Sequence, residues 1–403
     1  MPHSISRVVA GLILRALSAI LYLSSMSKSF SRSRLVSLLV QLLTGLSVFV
    51  TLGLAAATLV SLTVPRWWLG DLLSHLRFHY ALGLLVCTLC LIVRHRWVSL
   101  LVFLLTLVNL SILVPFYAAR PPIIPTASTL CILHYNLDMT ASSHQAAFAY
   151  LRQQQADVLF LQEVTPALAA QFARELPAYR VVYAQPLPNT HGSALLLPIN
   201  TTLMVQSVGT VHLPTTSPRP MITATIAYEG RPLALLSLQV VRPKDAYTED
   251  IQATEYDAVA AWVSIQRQRT GTPMLVIGDC NTTPWSARFQ QFLVASGLQD
   301  TSIGFGFQPT WSASLPVLLG LPIDHAFVSP ELVTQARVVG PDLGGDHAPL
   351  WVTIALPEVK LPAKPHLLPS LRQLTNRWAL PLYEETLENP IQASGVLSVG
   401  VLP

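Results

Sequence analysis

Charge is scarce in this 403-residue sequence: Asp, Glu, Lys and Arg make up 11% of it, against about 25% in ordinary soluble domains. That shortage excludes a purely soluble protein. Disorder is excluded as well, because 51% of the residues are hydrophobic and disordered chains are poor in apolar side chains. Acid is almost missing from the first third, where Asp71 stands alone against 9 Lys and Arg over residues 1–117. Four cysteines are too few for a disulfide framework in so long a chain. Internal repeats are absent. Residues 118–357 hold 12 Lys and Arg against 16 Asp and Glu, so the body lacks the basic stripe of a non-specific nucleic-acid binder.

What the first third has instead is long apolar runs. Leu35 to Val64 contains no charge and exceeds the roughly 20 residues a span needs. Trp97–Tyr117 is also long enough, while Tyr80–Val93, even extended back to Phe78, is marginal. Arg94, His95 and Arg96 predict a tight helical hairpin between the last two runs. The expected transmembrane region is therefore 35–117, with about three helices, behind a basic segment 1–34. Residues 8–26 are apolar around Arg15 and read either as an interfacial helix or as a signal peptide, and Met26 offers an alternative start. Lys28, Arg32, Arg34, Arg94 and Arg96 would stay cytoplasmic, which places everything after Tyr117 on the outer side.

A Pro-rich linker, 118–128, leads into a body of alternating strand and helix signals over 129–357. Strands are expected at Thr129–Asn136, Asp157–Gln162, Tyr179–Ala184, Ser193–Leu197, Met221–Tyr228, Pro232–Val240, Pro273–Gly278, Ile323–Val328, Ala336–Val339 and Leu350–Leu356. Helices are expected at Ser142–Gln155, Pro166–Leu176, Glu249–Arg267 and Pro284–Ala295. Strands outnumber helices, which predicts an α/β (α+β) body of mixed sheets with helices outside, preceded by α-helical spans. The tail, 358–403, is Pro-rich and expected to be disordered.

Polar groups recur at the ends of the apolar strands. Asn136 and Asp138 lie in LHYNLD, Gln162 and Glu163 in LQEV, and Asp279 and Asn281 in VIGDCN. Asp324 and His325 follow in PIDHAF, and Asp346 and His347 in GGDHAPL. Each has a bland reading alone, as a turn former or a satisfied hydrogen-bond pair. Together they describe one rim of a sheet. Carboxylate and amide oxygens suit Mg²⁺ or Mn²⁺ rather than zinc. A distant acid beside a histidine suits an oriented imidazole.

This ordered set, over Thr129–Leu356, resembles the endonuclease/exonuclease/phosphatase superfamily, the deoxyribonuclease-I-like fold. The resemblance implies a four-layer sandwich of two mixed β-sheets flanked by helices, with Mg²⁺ or Mn²⁺ at one rim. It implies Glu163 as principal metal ligand, with Asn136 and Asp138 nearby and Asp346 as a further acid at the metal site. It gives Asp279 and Asn281 to the attacking water and a phosphate oxygen, and it gives Asp324 the task of orienting His347. The implied activity is phosphoester hydrolysis, of a phosphodiester or a phosphomonoester. The partners would be the lipid bilayer and a substrate drawn from lipid head groups, nucleic acids or small phosphoesters, with no defined protein partner. The whole architecture is similar to a group of bacterial membrane proteins, which implies the inner (cell) membrane with the catalytic domain extracytoplasmic.

Two residues depart from the family pattern. Gln239 stands where a histidine is usual, and glutamine supplies no proton; His212 and His191 are the alternatives. That departure keeps open a second reading, a catalytically weakened metal- or phosphate-binding scaffold. Cys280 stands where an aromatic or small apolar residue is usual and is expected to pack as a small hydrophobe. Cys131 lies about 16 Å down its strand from the rim, so no disulfide to Cys280 is expected.

Overall fold

The computed structural model describes residues 32–92, 94–118 and 128–357. The expectations for the N-terminal basic segment, most of the linker and the tail fall on residues outside these. The first helix, α1, is Arg32–Thr63, followed by the short α2, Trp68–Ser74, then α3, Arg77–Leu91, and α4, Arg96–Ala118. Two of these are long and apolar enough to cross a membrane, Val36–Thr63 and Arg96–Ala118. A third span requires α2 and α3 together, which meet at a 66° bend. The marginal middle run of the sequence is α3, the second member of this bent pair, and the turn at Arg94 and His95 separates α3 from α4 as expected.

The body holds twelve strands among the described residues: β1 Thr129–Asn136, β2 Val158–Gln162, β3 Tyr179–Gln185, β4 Ser193–Pro198, β5 Met204–His212, β6 Pro220–Tyr228, β7 Arg231–Gln239, β8 Met274–Asp279, β9 Gln299–Asp300, β10 Asp324–Val328, β11 Val333–Val339 and β12 Leu350–Ala355. They form two six-stranded mixed sheets, ordered β11-β12-β1-β2-β4-β3 and β5-β6-β7-β8-β10-β9. The parallel pairs, β1–β2 and β7–β8, sit centrally. Helices α5 Gln145–Gln153, α6 Pro166–Ala169, α7 Phe172–Glu175, α8 Ala246–Thr270 and α9 Ala287–Ser296 cover the outer faces. This is the four-layer sandwich expected from the sequence.

Strand alternation sorts the side chains into layers. On β1, Leu130 and Ile132 face the second sheet, while Leu133 and Tyr135 face the outer helices. On β8, Leu275 and Ile277 face inward, while Met274 and Val276 pack under α8 and α9. The inner layer is therefore apolar along most of its length. It turns polar at one end, where His134, Asn136, Gln162, Ser237, Gln239, Asp279 and Asp324 follow the inward positions.

The helical bundle and the sandwich share a core. Ala81 of α3 and Leu113 and Phe116 of α4 pack with Trp285 of the body. Phe78 stacks on Phe307 with ring centroids 3.9 Å apart. Polar contacts lock the same junction: His75 Nδ1 lies 3.0 Å from Thr283 Oγ1, and Trp285 Nε1 donates to the His75 carbonyl at 3.2 Å. The Arg288 N–H donates to Asp71 Oδ1 at 3.4 Å.

Candidate active site

Register brings the strand-end residues to one rim. Asn136 pairs with Gln162 across β1–β2, Gln239 with Asp279 across β7–β8, and Asp324 with Asp279 across β10–β8. Gln162 ties the sheets together. Its Nε2 donates to Ser237 Oγ and to the Leu238 carbonyl, and its Oε1 accepts the Asp279 N–H. Within the second sheet the neighbouring strands β7 and β8 lie so close here that a Cβ on Gly278 would collide with the Leu238 carbonyl. Three site residues leave their strands with left-handed backbone, Asp138 (φ 51°), Glu163 (φ 57°) and Asn281 (φ 48°). Such conformations cost about 1–3 kcal/mol each and collect at functional sites.

The acids are held by defined donors. Asn136 Nδ2 donates to Glu163 Oε1 at 3.2 Å and to Asp279 Oδ2 at 3.3 Å, while its Oδ1 accepts the Asp138 N–H. Its amide nitrogen rather than its oxygen thus faces the carboxylates. The Met139 N–H donates to Glu163 Oε2. The Asn281 N–H donates to Asp279 Oδ1, and Asn281 Nδ2 is anchored on the Val240 carbonyl. Asp346 accepts from the Trp311 indole at 3.0 Å, and its N–H donates to Asp138 Oδ2.

Asp324 is fully buried between two imidazoles. His134 Nε2 is 2.9 Å from one oxygen and His347 Nδ1 is 2.8 Å from the other. His347 Nε2 then points toward Asp279 and Asp346, each 3.8 Å away. Burial would lower the His347 pKa, but Asp324 and Asp279 outweigh it and push the imidazole up to about 10. Burial would raise the Asp324 carboxyl, yet His347 and the hydrogen bond from His134 hold it below the usual range. Burial, with Asp324 and Glu163 nearby, raises Asp279 above an ordinary carboxylate, against the pull of His347. Burial also raises Glu163, against the N–H donors of Met139 and Asn136.

A cleft of about 330 Å³ opens over this rim, bordered by Glu163, Gln239, Asp279, Asn281, Asp346 and His347. All the residues singled out from the sequence for catalysis or metal binding therefore meet here, Asn136 and Asp324 from just beneath. His134 was not among them, although it shares a strand face with Asn136 two residues on, a period-2 signal that would find it. Trp311, Arg242 and Lys244, also on the cleft, carry no motif in the sequence. Gln239 donates to the Thr190 carbonyl at 2.9 Å. His212 is bonded instead to the Ser217 carbonyl, and neither it nor His191 borders the cleft. His325 points away, against Phe289, and Cys280 packs fully buried among apolar side chains.

Among the described residues, no three His, Cys, Asp or Glu side chains converge to cage a metal alone. Mg²⁺ is ordinarily held by one or two carboxylates, with water and phosphate oxygens completing its shell. A half-buried Glu163 whose oxygens meet only N–H donors, with Asp346 across the cleft, fits that hard-oxygen pattern and does not fit zinc.

The profile of the Endonuclease/Exonuclease/phosphatase family matches residues 133–347, more than half of the chain. No curated protein matches the sequence. Among solved structures, a humanized D. rerio TDP2 with 14 mutations is 16% identical over 56% of this chain and 98% of its own, with a TM-score of 0.45. D. rerio TDP2 complexed with single strand DNA product is 18% identical over 56% of this chain and 99% of its own, at 0.46. An endonuclease/exonuclease/phosphatase family protein from Bacteroides thetaiotaomicron is 14% identical over 58% of this chain and 100% of its own, at 0.47. The matched segment begins at Leu133 on β1 and ends at His347, so it takes in every strand end that forms the cleft. The chain belongs to the Endonuclease/Exonuclease/phosphatase family.

Proposed function

We propose that this chain is a membrane-anchored, divalent-metal-dependent phosphoesterase that hydrolyses its substrate by in-line attack of water. The observation that carries the reading is the buried Asp324–His347 pair aimed, through His347 Nε2, at Asp279. A positively charged imidazole beside a carboxylate of raised proton affinity is what a phosphoryl transfer needs: charge neutralisation on one side and a proton acceptor on the other.

In this reading Asp279 aligns the attacking water and takes its proton, which its raised pKa favours. Asn281 borders the cleft beside it and holds the water or a phosphate oxygen. His347 stabilises the charge that grows on the phosphoryl oxygens, held in place by Asp324. A bond forms from the water oxygen to phosphorus, the bond from phosphorus to the alcohol oxygen breaks, and the departing oxygen takes a proton from solvent water. A Mg²⁺ or Mn²⁺ held by Glu163, with Asn136 and Asp346 nearby, would supply Lewis-acid neutralisation of the phosphate. Gln239 can donate a hydrogen bond to the leaving oxygen but no proton, so protonation of the alcohol falls to solvent water. The apolar helices would anchor the enzyme in a cell membrane, with the basic loops inside and the cleft outside.

The test is release of p-nitrophenol from bis(p-nitrophenyl) phosphate by the detergent-solubilised full chain. Release is expected with Mg²⁺ or Mn²⁺, to stop with a chelator, and to fall about 100-fold or more in Glu163→Gln and Asp279→Asn. A folded chain that binds Mn²⁺ and releases nothing would replace this reading with the weakened scaffold that Gln239 motivates.

A further inference from the structure

Trp311 is a wall between two cavities. On one side lies the polar cleft of about 330 Å³ over Asp279 and His347. On the other lies a groove of about 380 Å³ bordered by Phe307, Leu315, Val317 and Val338. The wall is fixed from both ends: the Trp311 indole donates to Asp346, and the Arg242 guanidinium lies over the ring at 4.7 Å. Among the described residues, neither Arg242 nor Lys244 on the cleft side forms an ion pair. Two cations are therefore left to face an anionic ligand.

The rim of the groove is the loop 313–320, and it is apolar where solvent would normally select polar residues. Leu315 is 47% exposed, Val317 64%, Leu318 52% and Leu319 54%. A contiguous exposed apolar patch of this kind marks a contact surface. Its neighbours identify the contact. Phe307, in the groove wall, stacks flat on Phe78, and the His79 ring stands edge-on to Phe307. His79 also faces the carbonyls of Leu318 and Leu319. Phe78 and His79 lie in the first turn of α3, eleven residues after Trp67 and Trp68, which are of the type that gathers at a membrane–water interface. The loop thus stands at the level where the apolar helices would enter lipid.

We propose that the substrate is a phospholipid of the same membrane: its phosphate enters the polar cleft, its apolar chain crosses Trp311 into the groove, and the loop 313–320 rests in the bilayer. This rests on the phosphoesterase reading and names its substrate class. The chemistry is the hydrolysis already described, water forming one P–O bond as the P–O bond to the lipid or head-group alcohol breaks, with the water's proton on Asp279 and the departing oxygen protonated by solvent water.

The test uses the full chain in vesicles of phosphatidylethanolamine, phosphatidylglycerol and cardiolipin. With p-benzoylphenylalanine in place of Val317, illumination is expected to give a lipid adduct, as it should at Leu101, which is 66% exposed on α4. An adduct at 101 without one at 317 overturns the proposal whatever the activity. The second readout is the ratio of phospholipid to bis(p-nitrophenyl) phosphate hydrolysis, expected to fall about tenfold or more in Val317→Glu, about what one buried apolar side chain contributes. An unchanged ratio, or a chain that cleaves the soluble diester and none of the three lipids, overturns the substrate class and leaves the phosphoesterase standing. Adducts at 317 with neither class of compound cleaved would overturn the phosphoesterase reading and the substrate class with it.

Discussion

His347 donates from Nδ1 to Asp324 across 2.8 Å, and both side chains are buried. The other Asp324 oxygen is 2.9 Å from His134, so one carboxylate sets the orientation of two rings. Asp324→Asn would remove the charge that keeps His347 protonated and present an amide N–H where an acceptor is needed. The expected result is a fall in kcat of about 10²–10⁴-fold with KM little changed. Because the two residues act as a unit, the Asp324→Asn/His347→Gln double variant should lose far less than the product of the single losses. Additive losses would mean that they act separately. A melting curve in detergent would accompany the kinetics, since breaking a buried pair costs about 3–5 kcal/mol.

Gln239 lies in register with Asp279 and borders the cleft. Gln239→His would add an ionisable donor at that point. The expected outcome is a higher rate on esters with poor leaving groups, by up to about 100-fold, and little gain on p-nitrophenyl esters, whose alcohol needs no proton. A plot of log rate against leaving-group pKa checks this: its slope should flatten in the variant. An unchanged slope would show that the leaving group is protonated from elsewhere.

The junction between helices and sandwich bears on the loop that carries Asn281. Thr283, two residues beyond Asn281, is buried against His75, whose Nδ1 also accepts the Thr283 N–H at 3.4 Å. His75→Ala would strand those buried donors, costing about 1–3 kcal/mol, and His75→Asn should recover part of the loss. Thermal unfolding of the full chain, followed by tryptophan fluorescence, measures both. Equal melting temperatures for all three proteins would show that the junction contributes nothing to stability.

His325 gives a pH dependence that can be read apart from catalysis. It is fully buried with Nε2 donating to the Thr282 and Pro322 carbonyls, and burial lowers its pKa from 6.5 to about 3. The unfolded chain therefore takes up this proton first as the pH falls. The stability tied to the neutral ring is complete above pH 6.5, and it is lost progressively down to about pH 3. At pH 5.5 the loss is about 1.4 kcal/mol. His325→Gln keeps a donor and cannot titrate. Its melting temperature should fall less than that of the unaltered chain between pH 7 and pH 5.5, and an equal fall would assign the dependence to other groups.

The site was legible in the sequence because polar residues at the ends of apolar strands are costly unless used. Asn136, Glu163, Asp279, Asp324 and His347 each break an apolar run at such an end. His134 escaped notice because it sits inside the run, one inward position before Asn136. The edge strand Met204–His212 was not expected from the sequence: it pairs on one side only and is half exposed, so Ser207 and Gly209 blur its alternation. Trp311 and Arg242 owe their place in the cleft to loops, which leave no periodic signal. The junction was illegible for another reason. His75 and Thr283 are 208 residues apart, and neither periodicity nor local motif records a contact over that distance.

The central claim is that water, aligned by Asp279, attacks phosphorus at this rim. The measurement that tests it most directly is hydrolysis of bis(p-nitrophenyl) phosphate by the full chain with Mg²⁺ in ¹⁸O-labelled water, followed by mass analysis of both products. The expected result is one ¹⁸O in the p-nitrophenyl phosphate, none in the p-nitrophenol, and loss of turnover in Asp279→Asn. Label in the phenol, or turnover that survives Asp279→Asn undiminished, would contradict it.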